Sequence, residues 1–203
     1  MITIVDYGMG NLGSVANMLR RIGADCEVTG DPVRLADASR ILLPGVGAFD
    51  AAMERINAAG IRPVLEDKAL RQKVPVLGIC LGMQLLTRGS DEGALPGLGW
   101  IQGQTRRLPT DGGLKVPHMG WNVATRTRTC PLTEGLEGEI RFYFVHSYCV
   151  RTDDPQHTVL EAHYGIDFAA AVQRDNIMGA QFHPDKSHRF GMQLLKNFAE
   201  LPC

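Results

Sequence analysis

Hydrophobic positions in the first half of the chain fall into two alternating rhythms. Short apolar runs at Ile2–Asp6, Asp25–Thr29, Arg40–Leu43 and Val74–Ile79 have the length and the β-branched content of buried strands. Between them, Leu12–Ile22, Ala48–Ala58 and Arg62–Leu70 space their apolar residues as amphipathic helices do. Strands that alternate with helices predict βαβ units, and so a mostly parallel, twisted sheet with helices on both faces.

The second half changes rhythm. Strand-like segments at Trp100–Leu108, Phe142–His146, Tyr148–Arg151, Thr158–His163, Ala169–Arg174 and Met178–Phe182 follow one another closely. Such spacing predicts antiparallel strands added to the parallel sheet. A last helix is expected over Phe190–Glu200, and the Gly-rich segments Gly89–Gly99 and Asp111–Gly113 read as loops. No repeat, linker or low-complexity tract divides the 203 residues, so one α/β domain over 1–203 is expected.

Composition narrows the function classes. A net charge of −1 gives no general attraction to nucleic acid or to an anionic membrane, and neither is expected as a partner. No apolar stretch approaches bilayer length, and the start, Met1–Asp6, enters a strand pattern without the basic region of a signal peptide. The five cysteines (Cys26, Cys80, Cys130, Cys149 and Cys203) are odd in number and never form CxxC. That pattern fits reduced thiols in a cytoplasm and argues against a structural zinc site.

The most informative segment is Gly78-Ile79-Cys80-Leu81-Gly82, between the Val74–Ile79 strand and the helix-like Met83-Gln84-Leu85-Leu86. Strand, sharp turn and helix make a nucleophile elbow, whose small flanking residues let the strained turn close. The helix start favours a thiolate, and its N–H groups face a developing oxyanion. The pentapeptide alone fits a buried structural thiol equally well. A base candidate, His183, follows the Met178–Phe182 strand, with Asp185 two residues on to orient its ring.

Other motifs carry weaker signals. Gly8-x-Gly10-x-x-Gly13 matches the dinucleotide pattern, but its strand ends in Asp6-Tyr7 and no second nucleotide-binding half follows. His183, Asp185 and His188 have a possible metal spacing without a further ligand cluster, and no metal is expected. The glycines of Pro44-Gly45-Val46-Gly47 serve either a tight turn or a second oxyanion contact. Pro117–Asn122 reads as a loop whose Met119 and Trp121 suit either a protein contact or the core.

These pieces together resemble the class I, triad-type glutamine amidotransferases. The resemblance runs nearly end to end, through Asp6–Leu12, Leu43–Phe49, Gly78–Gln84, Lys115–Asn122, Phe142–Tyr148 and Gln181–Pro184. Within that family it is nearest to glutaminase subunits that feed a (β/α)8-barrel cyclase in histidine biosynthesis. The resemblance implies that Cys80 attacks the side-chain amide of glutamine and that His183 shuttles the proton. It implies an oxyanion hole from the backbone of Leu81 and of Val46 and Gly47. Gln84 and the backbone around His146, Ser147 and Tyr148 would hold glutamine. Asn11, Met119, Trp121, Tyr143 and Lys186 match the face toward the cyclase, and no cofactor is implied. One departure stands out: the family usually reads His-Pro-Glu, and here the third residue is Asp185, one methylene shorter. Similar subunits also supply ammonia for amidino-sugar synthesis, and a stand-alone hydrolase of γ-glutamyl peptides would keep the same elbow.

Overall fold

The computed structural model describes residues 1–110 and 113–202, so positions 111 and 112 of the expected 111–113 loop lie outside it. Among the described residues twelve strands are formed: β1 (Ile2–Val5), β2 (Cys26–Thr29), β3 (Ile41–Gly45), β4 (Val76–Cys80), β5 (Gly103–Arg107), β6 (His118–Val123), β7 (Thr125–Arg126), β8 (Arg141–His146), β9 (Tyr148–Thr152), β10 (Thr158–Tyr164), β11 (Ile166–Arg174) and β12 (Ile177–Ala180). The helices are α1 (Leu12–Arg21), α2 (Pro32–Ala36), α3 (Phe49–Ala58), α4 (Arg62–Glu66), α5 (Leu81–Leu85) and α6 (His188–Glu200).

The parallel sheet runs in the order β2-β1-β3-β4-β12. Its inner strands β1, β3, β4 and β12 are buried along their whole length, which is why they read as unbroken apolar runs. Strand β12 joins the two halves, parallel to β4 on one side and antiparallel to β11 on the other. The antiparallel part continues through β10 and β7, while β9 pairs with both β11 and β5.

Two cores flank the sheet. On one face Ile2 and Ile4 pack with Val15 and Leu19 of α1 and with Leu194 and Phe198 of α6. On the other, Val5 packs with Leu35 of α2, with Phe49, Met53 and Ile56 of α3, and with Leu65 of α4. Helix α1 is capped by Asn11, whose Oδ1 accepts from Ser14 N–H, and Arg20 and Arg21 complement its carbonyl end. Among the described residues no helix is long and apolar enough to cross a membrane.

The structure corrects several expectations. Pro117–Asn122 is not a loop: His118–Val123 is strand β6, paired with β8 in a separate two-stranded ribbon. Its alternation is inverted, with His118 buried and Met119, Trp121 and Val123 exposed, so the hydrophobic pattern concealed it. Helix α2 was not expected, although Asp31 caps it through Val33 N–H and Pro32 opens it. The helix expected over Arg62–Leu70 is α4 continued by a π turn, Asp67–Arg71. Strand β12 ends at Ala180, two residues earlier than its apolar run suggested.

Backbone crowding around α5 fixes where the elbow lies. A Cβ on Gly82 would sit 1.8 Å from the carbonyl oxygen of Leu43, and one on Gly78 would sit 2.6 Å from the carbonyl oxygen of Gly82. Gly13 in α1 has open space beside it, so close helix-to-strand contact does not require that third glycine of the dinucleotide-like spacing. Gly82→Ala is therefore expected to lower the melting temperature severely or to abolish soluble expression. Gly13→Ala should leave stability unchanged or raise it by up to about 1 kcal/mol. Thermal unfolding of the two variants checks the contrast.

Candidate active site

Cys80 is the last residue of β4 and precedes the first turn of α5, with φ 55° and ψ −111°. A non-glycine residue persists in such backbone only where its surroundings overdetermine it. Here they do. Gly45 and Pro44 of β3 register against Cys80 and Ile79, and Gly82 is pressed onto the Leu43 carbonyl. The elbow expected from the sequence is present.

A cleft of about 370 Å³ opens over the thiol. Its lining includes Cys80, Leu81, Val46, Gly47, Gln84, His146, Ser147, Tyr148 and His183, so residues expected in three different roles converge on one cavity. His183 reaches it from beyond β12. Its backbone N–H donates to Tyr143 O at 2.9 Å, and its carbonyl accepts from Ser187 Oγ at 2.6 Å. The base candidate is thereby tethered to β8 rather than to the strand that precedes it. Asp185 Oδ1 lies 3.9 Å from His183 Nδ1, beyond hydrogen-bond reach, and both side chains are largely buried. Asp185 thus faces the ring as expected but does not bond to it here.

Burial governs the electrostatics. The Cys80 thiol is pushed up to about 11 by desolvation, against the Leu81 N–H and the Lys186 ammonium that lower it. The thiolate expected at the helix start is therefore absent at neutral pH: desolvation outweighs one backbone N–H and one cation. Sγ donates toward Val145 O at 3.8 Å. His183 is held below its ordinary value, first by burial, then by Lys186, while Asp185 opposes the shift. At pH 7 the thiol and the imidazole rest as a neutral pair.

Met119 and Trp121 stand out from β6, 63% and 47% exposed. Trp121 meets Tyr143 edge-on and stacks on His188 at 5.3 Å, and the Lys186 ammonium lies 5.7 Å from the Tyr143 ring. Four of the five residues expected at a partner face thus lie together, while Asn11 is engaged as the cap of α1. Among the described residues no three His, Cys, Asp or Glu side chains gather as a metal site.

Sequence reasoning gave no role to Gln181, Glu92 or Asp50. Gln181 is fully buried, with Nε2 3.9 Å from Cys80 Sγ; its place before Phe182-His183 was the available signal. Glu92 lines the cleft and caps α3 by accepting from Phe49 N–H. Asp50 fastens the Gly-rich loop by accepting from Ala94 and Leu95 N–H. Both act across more than forty residues, where no periodicity reaches.

Residues 3–201 match the model of the family described as glutamine amidotransferase class-I. The chain is 49% identical to "Imidazole glycerol phosphate synthase subunit HisH" of Bdellovibrio bacteriovorus over 99% of this chain and all of that protein. It is 48% identical to "Imidazole glycerol phosphate synthase subunit HisH 2" of Pseudomonas aeruginosa, again over 99% of this chain and all of the relative. Among solved structures, PurLQS from Thermotoga maritima superposes with a TM-score of 0.75 at 20% identity, covering 97% of this chain and 96% of the other. A putative GMP synthase subunit from Thermoplasma acidophilum gives a TM-score of 0.73 at 18% identity, over 98% and 91%. These two likenesses show the fold.

Two outcomes follow from the buried groups. Alkylation of Cys80, read by peptide mass, should keep rising with pH toward a midpoint near 11; a midpoint at the ordinary thiol value would refute the desolvated site. Burial lowers His146 to about 3 and His118 to about 4, and His183 in the same direction. Each binds its proton more readily unfolded, so its stabilisation is complete above the unfolded value of 6.5 and is lost as pH falls through the window below it. Urea midpoints should drop between pH 7 and pH 5, with His146 alone contributing about 2 kcal/mol. His146→Gln should flatten that dependence.

Proposed function

The chain belongs to the class-I glutamine amidotransferase family, and from that premise we propose that it is the glutaminase subunit of an imidazole glycerol phosphate synthase in histidine biosynthesis. It acts as one domain over residues 1–203 and releases ammonia from glutamine for a (β/α)8-barrel cyclase partner. The observation that carries this reading is the meeting of Cys80 and His183 in one cleft of a chain matched along its whole length by HisH subunits.

The chemistry follows from the neutral resting pair. His183 accepts the thiol proton as Cys80 Sγ bonds to the side-chain carbonyl carbon of glutamine. The carbonyl oxygen becomes an oxyanion, held by the Leu81 N–H and by the backbone at Val46 and Gly47. The imidazolium gives its proton to the amide nitrogen, the C–N bond breaks, and ammonia leaves behind a glutamyl thioester. Water, deprotonated by His183, then attacks the thioester and frees glutamate and the thiol. Every step uses side chains and backbone of this chain. Gln84 and the backbone of His146, Ser147 and Tyr148 hold the substrate in the cleft, and Asp185 steadies the imidazolium once it carries charge.

Ammonia release is useful only beside its consumer. Met119, Trp121, Tyr143 and Lys186, with Asn11, form the docking face for the cyclase. A thiol held near 11 makes the free chain slow, and docking, with nucleotide on the cyclase, completes the oxyanion hole. The free thiols of Cys26, Cys80, Cys130 and Cys149 suit a reducing cytoplasm.

The test is glutamate release by the chain alone, with a histidine-pathway cyclase subunit, and with that subunit plus its nucleotide ligand. Fast turnover is expected only in the last mixture; full turnover by the free chain would favour a stand-alone hydrolase. In the complex, Cys80→Ala should abolish release and His183→Ala should lower it by roughly 10³-fold or more. Asp185→Asn should cost only about tenfold; an unchanged rate would remove Asp185 from the machinery.

A further inference from the structure

The hydrogen bonds behind the thiol can be assigned a direction from one fixed point. A backbone carbonyl only accepts, so His146 Nδ1, 2.9 Å from Tyr148 O, must carry a proton and donate. In the neutral ring Nε2 then accepts, and its partner at 2.9 Å, His118 Nδ1, donates. His118 Nε2 in turn accepts from Asn122 Nδ2 at 3.3 Å. Asn122 also donates to His163 O, while its Oδ1 accepts from Val123 N–H, so its amide orientation is fixed too.

The same Tyr148 carbonyl accepts a second donor, Gln84 Nε2, at 3.0 Å. Gln84 Nε2 also donates to Gln181 Oε1 at 3.1 Å. That bond turns the Gln181 amide so that its Nε2 faces Cys80 Sγ at 3.9 Å. The Gln181 backbone is pinned by its N–H to Ala170 O. The sulfur therefore donates its own proton toward Val145 O and meets an N–H from Gln181 on another side.

We infer that Gln181 is a further residue of the catalytic site, holding the Cys80 thiolate by its Nε2–H, and that His118, through His146, Tyr148 O and Gln84, is a positioning residue for it. The two contacts have separate tasks. Val145 O is satisfied while the thiol keeps its proton, and Gln181 is the donor left facing the sulfur when His183 has taken it. The branch through the histidines fixes the Tyr148 carbonyl on which Gln84 hangs. Other titratable groups that act on the sulfur are Lys186, Asp185 and Tyr7, and none of them orients the Gln181 amide. The importance of the thiolate for turnover rests on the glutaminase reading; the hydrogen-bond chain does not.

The experiment measures Cys80 alkylation by iodoacetamide at pH 9 in the full chain, residue-resolved by mass. Gln181→Leu should slow it about tenfold, the effect of raising the thiol by one unit. Gln181→Glu, nearly isosteric but placing a carboxylate by the sulfur, should slow it further. His118→Phe keeps the ring stacking with Phe144 and Tyr164 and should slow it by a smaller factor. With cyclase and nucleotide, Gln181→Leu should lower kcat and leave KM for glutamine nearly unchanged. An unfolded variant would expose Cys80 and alkylate faster, so loss of fold is separated from loss of the donor. An alkylation rate unchanged in both Gln181 variants would overturn the proposal. So would ¹⁵N NMR of the wild-type chain showing Nε2–H, rather than Nδ1–H, on His146 or His118. If wild type releases no glutamate in any mixture while alkylation slows as expected, the glutaminase reading fails and the role of Gln181 at the sulfur stands.

Discussion

The close approach of Gly82 to the Leu43 carbonyl is the constraint on which the site depends. It draws the start of α5 down onto β3 and forces the reversal at Cys80 into backbone that a cysteine does not adopt on its own. The reversal sets Cys80 at the ends of two paired strands, β3 and β4, where its side chain lines the cleft. Gly78 serves the same end, since a Cβ on it would collide with the backbone of Gly82 and Met83 in the first turn of α5, and a Cβ on Gly45 would meet the Tyr7 hydroxyl at 2.5 Å and press on Gly82 N and Leu81 Cβ at 3.0 Å. The strain is sustained by a sheet whose central strands are buried on both faces, so the energy that holds Cys80 in place comes from packing elsewhere.

Desolvation then decides the chemistry. The same burial that secures the elbow holds Cys80 protonated and His183 uncharged. Proton transfer within the site is therefore needed before the sulfur is nucleophilic, and the neighbouring donors matter more than in an exposed thiol. A helix start and one lysine do not offset the loss of water around the sulfur. His146 and His118 are kept neutral by burial, which permits two imidazoles to share one hydrogen bond at 2.9 Å without repulsion.

Much of this was legible in the sequence because it is local. The elbow is a contiguous pentapeptide, and β1, β3 and β4 are contiguous apolar runs, so length and periodicity located them. The cleft residues Val46, Leu81, Gln84 and Tyr148 lie within a few positions of recognisable motifs. What stayed hidden is non-local or inverted. Strand β6 turns His118 inward and Trp121 outward, against the rule by which strands are recognised. Glu92 caps a helix that begins forty-three residues earlier in the chain, and no spacing rule joins Phe49 to it. The orientation of the Gln181 amide is set by Gln84, a relation visible only once β4 and β12 lie side by side. Asp185 could be read as a candidate orienter from its position, yet its distance from the ring is a property of the backbone between them.

Strand β8 has a mechanical consequence. Its Tyr143 carbonyl carries the backbone of His183, its Val145 carbonyl faces the thiol, and its His146 walls the cleft and anchors a hydrogen-bond chain. It belongs to a two-stranded ribbon, not to the sheet that fixes Cys80. A slide of that ribbon along its axis would shift the Val145 acceptor, the His146 wall and His183 together against a stationary sulfur. Three distances that look independent thus share a single degree of freedom, and the ribbon's other strand, β6, is the one that carries exposed Met119 and Trp121.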